Sequence, residues 1–101
     1  MALGPTGAAP ALKALAAANN TTVKLATFDL SKDVLAAIKA GTLLFAVDQQ
    51  QYLQGYLPIV FLTYNNLYGL IPGGGQPVLT GPGIVDKTNV DKVIANTGTT
   101  R

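Results

Sequence analysis

The sequence predicts an α/β fold in which a parallel sheet carries helices on its faces. Two short segments rich in apolar, β-branched and aromatic residues alternate with segments of helical periodicity, and this alternation is typical of strand–helix–strand units with right-handed crossovers. The chain has 101 residues, 49% of them hydrophobic, which is enough apolar material for the core of one small domain. Only two full strands are predicted, so the edges of the sheet lack partners and the sheet looks incomplete.

The first half of the chain alternates helix, strand and helix. Residues 8–18 carry apolar residues at helical spacing and tolerate Pro10 because we place it in the first turn. Residues 23–28 form an apolar run without strict alternation, which predicts a strand covered on both faces. Ser31 can then cap a second helix, and Gly41 is the expected stop.

The second half contains a further strand and one long helix. The strand covers residues 43–47 and the helix runs from about residue 51 to about residue 70. Pro58 interrupts the helical pattern and predicts a kink. Residues 76–101 are rich in Gly, Pro and Thr, which predicts an irregular tail with one short strand around residues 84–85. We expect this tail to be frayed from about Ala95 onward. Apolar residues four apart form two rows on the long helix: Tyr52, Tyr56, Val60, Tyr64 and Tyr68, and Leu53, Leu57 and Phe61.

The composition excludes most catalytic chemistries and several kinds of partner. The absence of Cys and His removes thiolate nucleophiles, Ser-His-Asp triads and the usual ligands of zinc. The seven cationic residues are scattered, and no basic stripe predicts nucleic-acid binding. Residues 49–85 lack charged residues, but their longest apolar run, residues 56–62, is far shorter than the about 20 residues of a membrane span. The first residues also lack the pattern of a signal peptide.

Polar residues directly follow the two predicted strands. Asp29 and Asp48 lie 19 residues apart, about one strand–helix–strand repeat, so a parallel sheet brings both carboxylates to the edge where open α/β sheets bind ligands. Gln49 and Gln50 extend this group, and carboxylates and amides bind hydroxyl groups. The alternative is structural, with Asp29 capping the second helix and Asp48 ending a strand in solvent. The structural interpretation is favoured for Asp29 alone, and the functional one for the cluster of residues 48–50.

Seven short motifs lie in order along the chain: GPTGAA at residues 4–9, ATFD at 26–29, IKAG at 38–41, FAVDQQ at 45–50, QGY at 54–56, TGP at 80–82 and NVD at 89–91. Together they resemble the C-terminal third of the type 1 periplasmic sugar-binding proteins of ABC transporters, the ribose-binding-like family. The resemblance runs from Leu3 to about Val93. It implies two flavodoxin-like α/β lobes joined by three hinge strands, which close over one sugar.

The resemblance also implies a division of the chain between the two lobes. Residues 1–48 correspond to part of the C-terminal lobe, and residues 49–80 cross the hinge and supply a helix to the N-terminal lobe. Residues 81–101 form the return crossing and the tail. The helix would then be covered by the missing N-terminal portion, or by self-association or swapping in an isolated chain.

By the same resemblance, four residues are candidates for ligand binding. Asp29 corresponds to the strand-end Asp that accepts hydrogen bonds from sugar hydroxyls, and Gln49 corresponds to a hinge amide with the same role. Asp48 stands where some relatives carry an apolar residue. Gly4 replaces a ligand-binding Asn found in many relatives, a contact for which Thr6 could substitute. No metal, cofactor or catalytic residue is implied.

The expected function is that of a fragment of a periplasmic or extracytoplasmic sugar-binding protein that delivers its ligand to an ABC transporter permease. The protein is expected not to be an enzyme, because only the proximity of Asp29 and Asp48 supports a carboxylate-based hydrolase. Two alternatives remain open. One is a fragment of the effector-binding domain of a LacI-type regulator, and the other is a structural or assembly-forming fragment without ligand affinity.

Overall fold

A three-stranded sheet of order β1-β2-β3 organises the fold in the computed structural model, which describes residues 1–100. The strands are β1 (Thr27–Phe28), β2 (Phe45–Asp48) and β3 (Gly83–Asp86). Strands β1 and β2 pair in parallel, as predicted, whereas β3 pairs antiparallel to β2. Ala2 adds an isolated parallel bridge on the outer side of β1. The sheet is therefore mixed, because residues 78–86, named the return segment from here on, re-enter it in the opposite direction.

Four α-helices and one 3-10 turn complete the part of the chain that the structure describes. The helices are α1 (Pro5–Ala17), α2 (Lys32–Ala40), α3 (Gln51–Tyr68) and α4 (Val90–Ala95), and the 3-10 turn is Pro72–Gly75. Helix α2 packs against both α1 and α4, and α4 also contacts β3. Among residues 1–100, no helix combines the length and the apolar character needed to cross a membrane.

One cluster of buried apolar residues forms the core. It joins α1, α2 and α4 to the sheet, and Ile38 of α2 is fully buried within it. Its members are Ala8, Leu25, Val34, Leu35, Ala37, Ile38, Leu43, Ala46, Val85, Val90 and Val93. All of them lie before residue 49 or after residue 82, so the core belongs to the two ends of the chain.

The signals at both ends of α2 are confirmed. The Ser31 hydroxyl oxygen accepts a hydrogen bond from the Val34 N–H at 3.1 Å, which satisfies one of the free donors at the helix start. Gly41 ends the helix in the left-handed conformation, at φ 81°, which glycine adopts without steric penalty. The predicted alternative role of Asp29 as the cap of this helix is wrong, because Ser31 occupies that position.

Two predicted boundaries in the first part of the chain are wrong. Helix α1 begins at Pro5, so Pro10 lies inside the helix rather than in its first turn. Pro10 is exposed, and solvent can hydrate the carbonyl that loses its helical partner there. Strand β1 has only two residues, and the predicted start of the strand lies instead in a turn in which the Asn20 side chain accepts from the N–H groups of Thr22 and Val23.

The tail also differs from the prediction. The short strand around residues 84–85 is confirmed as part of β3. Residues 90–95 form α4, which buries Val90 and Val93 in the core, so the tail is not a loose extension at this point. Spacing three residues apart places these two valines on one face of the helix.

Helix α3 lies apart from the core. None of its 18 residues is buried. Pro58 lies inside the helix and does not end it. Leu53, Leu57 and Phe61 are half-buried and line an apolar groove of about 500 Å³ between α3 and residues 72–80. The remaining large apolar side chains of the helix are mostly exposed, and the molecule measures 59 × 24 × 20 Å.

Candidate functional site

The candidate site lies where the carboxyl ends of β1 and β2 meet. The parallel register pairs Phe28 with Val47, so the next residues along the two strands, Asp29 and Asp48, emerge at the same edge of the sheet. Gln49 follows directly. The backbone thus brings Asp29, Asp48 and Gln49, three of the four sequence-predicted residues, together at this edge.

Asp29 and Gln49 are in direct contact. The Gln49 amide nitrogen Nε2 donates to Asp29 Oδ1 at 3.0 Å. Asp29 adopts the left-handed conformation at φ 61°, which Asp tolerates better than most residues, and its N–H donates to the Val47 carbonyl at 2.9 Å. The backbone bond fixes Asp29 at the strand end, and the half-buried side chain faces the glutamine.

A second glutamine reaches the same carboxylate. Gln51, the first residue of α3, donates through Nε2 to Asp29 Oδ1 at 2.6 Å. Sequence reasoning missed this residue, although the run of glutamines at residues 49–51 was a visible signal. Both amides bind Oδ1, and within residues 1–100 no protein donor contacts Oδ2, which leaves that oxygen to accept hydrogen bonds from a ligand.

Asp48 has a different environment from Asp29. Its side chain is 2% exposed, and its Oδ1 accepts the Gln50 N–H at 2.8 Å. Gln50 is the N-cap of α3 and takes the left-handed conformation at φ 58°. Asp48 therefore holds the turn that leads from β2 into α3, and its burial disfavours the predicted contact with a ligand.

The outgoing and returning segments are held together beside the site. The Gln49 carbonyl accepts hydrogen bonds from Gln54 Nε2 at 3.0 Å and from the Thr80 hydroxyl at 3.1 Å. A Cβ atom at Gly81 would lie 3.0 Å from the Asp48 carbonyl oxygen, so only a residue without a side chain fits there undisturbed. These contacts fix the position of Gln49 relative to the return segment.

A groove adjoins Gln49 on one side. It has a volume of about 360 Å³ and is lined by Phe28 and Val47 of the sheet, Gln54 of α3 and residues 78–82 of the return segment. Apolar walls with a few polar groups at the rim are typical of small-molecule sites.

Thr6 lies at a separate position on the same part of the fold. It is exposed in the first turn of α1 and lines a groove of about 240 Å³ together with Ser31 and Asp33. Among residues 1–100, no hydrogen bond joins Thr6 to Asp29 or Gln49. The structure therefore brings Asp29, Gln49 and Gln51 into one cluster and leaves Thr6 outside it.

Two solved structures of sugar-binding proteins are similar to this chain. A carbohydrate transporter from Acidothermus cellulolyticus 11B in complex with myo-inositol is 41% identical, with a TM-score of 0.82, over 92% of this chain and 32% of that chain. An arabinose-binding protein from Geobacillus stearothermophilus is 28% identical, with a TM-score of 0.72, over 89% of this chain and 35% of that chain. No protein-family model and no curated protein matches the chain.

The fold is that of part of a periplasmic binding protein, as the sequence predicts. More particularly, the predicted resemblance to sugar-binding proteins of ABC transporters is confirmed, and it extends over nearly the whole chain. The chain spans about a third of the length of either solved structure. Neither structure is described as an enzyme.

Proposed function

We propose that this chain forms part of an extracytoplasmic sugar-binding protein that delivers its ligand to an ABC transporter permease. The observation that carries the proposal is the hydrogen-bonded pair of Asp29 and Gln49 at the carboxyl edge of the sheet. The 41% sequence identity between this chain and an inositol-bound carbohydrate transporter supports a ligand of the same chemical class, a sugar or cyclic polyol.

The chemistry of the pair suits adjacent hydroxyl groups. Asp29 Oδ2 can accept two hydrogen bonds, and Gln49 keeps its Oε1 acceptor and one amide hydrogen besides the one given to Asp29. A carboxylate acceptor makes shorter and stronger hydrogen bonds than a neutral one. Under this proposal Asp48 holds the turn beside the site. Thr6 lies outside the cluster of Asp29, Gln49 and Gln51, and its exposed hydroxyl at the start of α1 is proposed as a separate contact with the ligand. Recognition requires neither a cofactor nor catalysis.

We assign residues 1–48 and 81–101 to one lobe, and residues 49–80 to the hinge crossing and a helix of the other lobe. The location of the core supports this division, since no member of the buried cluster lies between residues 49 and 82. The expected cover for α3 is the N-terminal portion of a longer protein. The length of the similar structures supports this, because two thirds of each has no counterpart in this chain.

Sedimentation velocity over a range of concentrations tests this division. Without the N-terminal portion that we expect to cover α3, the chain should self-associate through this helix, since contiguous exposed apolar side chains favour association. Ile59→Lys should suppress that association, because Ile59 is largely exposed on α3, whereas Asn66→Lys, at a polar position of the same helix, should change it little. A compact monomer at every concentration would contradict the assignment of α3 to an interface.

Sugar binding is tested by titrating the isotope-labelled chain with myo-inositol and with arabinose by NMR. Half of a site should bind weakly, with Kd in the millimolar range, about −4 kcal/mol. Asp29→Asn should weaken binding by about 10-fold or more, because a hydrogen bond to a charged group contributes about 1.5–3 kcal/mol. Asp91→Asn is the matched control, since Asp91 is an exposed carboxylate in the first turn of α4, away from the site. Equal affinity of the two variants would refute the role of Asp29.

A further inference from the structure

We propose that Gln51 is a positioning residue of the sugar site, because its amide holds the Asp29 carboxylate in the orientation that binds hydroxyl groups. The inference rests on the proposed function and adds to it a residue outside the predicted site. Its basis is the 2.6 Å contact between Gln51 Nε2 and Asp29 Oδ1.

The geometry shows what Gln51 adds to the contact from Gln49. The Asp29 backbone is already fixed by its bond to the Val47 carbonyl, so the remaining freedom of this residue is rotation of its side chain. Gln49 alone, at 3.0 Å, provides one bond about which the carboxylate can turn. The second and shorter bond from Gln51 gives Oδ1 two donors, so that Oδ2 is the oxygen proposed to accept from ligand hydroxyls.

The backbone places both glutamines within reach of the same oxygen. Gln50, between them, has the left-handed conformation and is held there by Asp48, so the chain turns sharply before α3 begins. Gln51 is then anchored as the first residue of that helix. Its bond to Asp29 spans 22 residues and joins the end of β1 to the start of α3, across the proposed hinge crossing.

This role requires a hydrogen-bond donor at residue 51, which makes it distinguishable from simple packing. Gln51 is exposed, so substitutions there should leave the core intact. A glutamate has the same shape as glutamine but no donor, and its charge would repel the Asp29 carboxylate. A lysine supplies a donor on a chain long enough to reach that carboxylate.

The test measures the affinity of the full chain and its variants for myo-inositol and arabinose by NMR titration. Gln51→Ala should weaken binding about 3- to 10-fold, the range for loss of one hydrogen bond. Gln51→Glu should weaken it further, and Gln51→Lys should stay close to wild type. Gln76→Ala, at an exposed glutamine outside the site, is the control, and circular dichroism verifies that each variant is folded.

The outcomes separate this inference from the proposed function. The inference is supported if wild type and Gln51→Lys bind most tightly, Gln51→Ala binds more weakly and Gln51→Glu binds most weakly, because only the first two have a donor that can position Asp29. If wild type binds sugar and both Gln51→Ala and Gln51→Glu bind it with the wild-type affinity, the role of Gln51 is overturned and the proposed function still stands. No binding of either sugar by wild type would refute the proposed function and this inference together.

Discussion

A pair of isoleucine substitutions tests the division of the molecule into a packed core and an uncovered helix. Ile38 of α2 is fully buried, whereas Ile59 of α3 is 66% exposed. Both lie in helices, so Ile→Ala removes the same atoms and changes helix propensity similarly at the two positions. Any difference in the free energy of unfolding must therefore come from the surroundings of the side chain.

The expected magnitudes follow from burial. Ile→Ala removes three carbon atoms, worth about 2.4 kcal/mol when fully buried at about 0.8 kcal/mol each. A cavity term adds to this at Ile38, so the total loss there should be about 3–4 kcal/mol. At Ile59 only a third of the side chain is covered, which lowers the transfer term to about 0.8 kcal/mol. The better helix propensity of Ala offsets part of that loss.

Urea denaturation followed by circular dichroism measures both values, at a low protein concentration that limits association. A loss of about 3–4 kcal/mol is a large share of the about 5–15 kcal/mol that stabilises a typical domain, so Ile38→Ala should shift the midpoint strongly. Ile59→Ala should shift it little. Equal losses at the two positions would refute our account, because they would show that α3 is covered as well as the core.

Four further substitutions test individual contacts. Ser31→Ala should destabilise the fold by about 1 kcal/mol in urea denaturation, since it removes the cap of α2. Gly55→Ala should stabilise α3 by about 0.5–1 kcal/mol, measured as helix content, because the added methyl group meets no atom within 4 Å. Gly81→Ala should instead destabilise by about 1–3 kcal/mol, because its methyl group would lie 3.0 Å from a backbone carbonyl of β2. The Thr88 hydroxyl, followed by the Thr88 N–H, lowers the pKa of Asp86; the resulting stabilisation is present above the unfolded pKa of that carboxyl and is lost as pH falls through its folded pKa. Thr88→Val should reduce this acid-dependent loss in thermal unfolding, and an unchanged pH profile would contradict the assignment.

The fold was largely predictable because its strongest signals are local. Ser31 and Gly41 mark the ends of α2, and each acts through its own side chain or backbone conformation. The apolar pattern of α3 likewise predicted a helix, but by itself it indicated packing in a core; the resemblance to the sugar-binding family implied that the cover lies outside this chain. The antiparallel pairing of β3 was not predictable, since it depends on the direction in which the return segment re-enters the sheet.

The composition of residues 76–101 predicted a tail and did not indicate helix α4. Its residues follow a segment rich in Gly, Pro and Thr, and this setting concealed the spacing of Val90 and Val93. Their burial against α2 and β3 stabilises a helix of six residues, which is too short to be stable alone.

The candidate site was predictable in position but not in detail. The strand ends placed Asp29, Asp48 and Gln49 at one edge, which follows from parallel pairing alone. Their different roles depend on tertiary contacts: Asp48 turns inward to the Gln50 N–H, and Asp29 meets two amides. The proposed role of Gln51 in positioning Asp29 depends on the left-handed conformation of Gln50, which the sequence pattern did not predict.

The most direct test of our account is the location of the NMR shift changes that myo-inositol causes in the wild-type chain. We expect the largest changes at the backbone amide of Asp29 and the side-chain amides of Gln49 and Gln51, with little change along α3. Changes centred on the exposed tyrosines of α3, or no saturable change at all, would contradict the claim that this edge of the sheet binds a sugar.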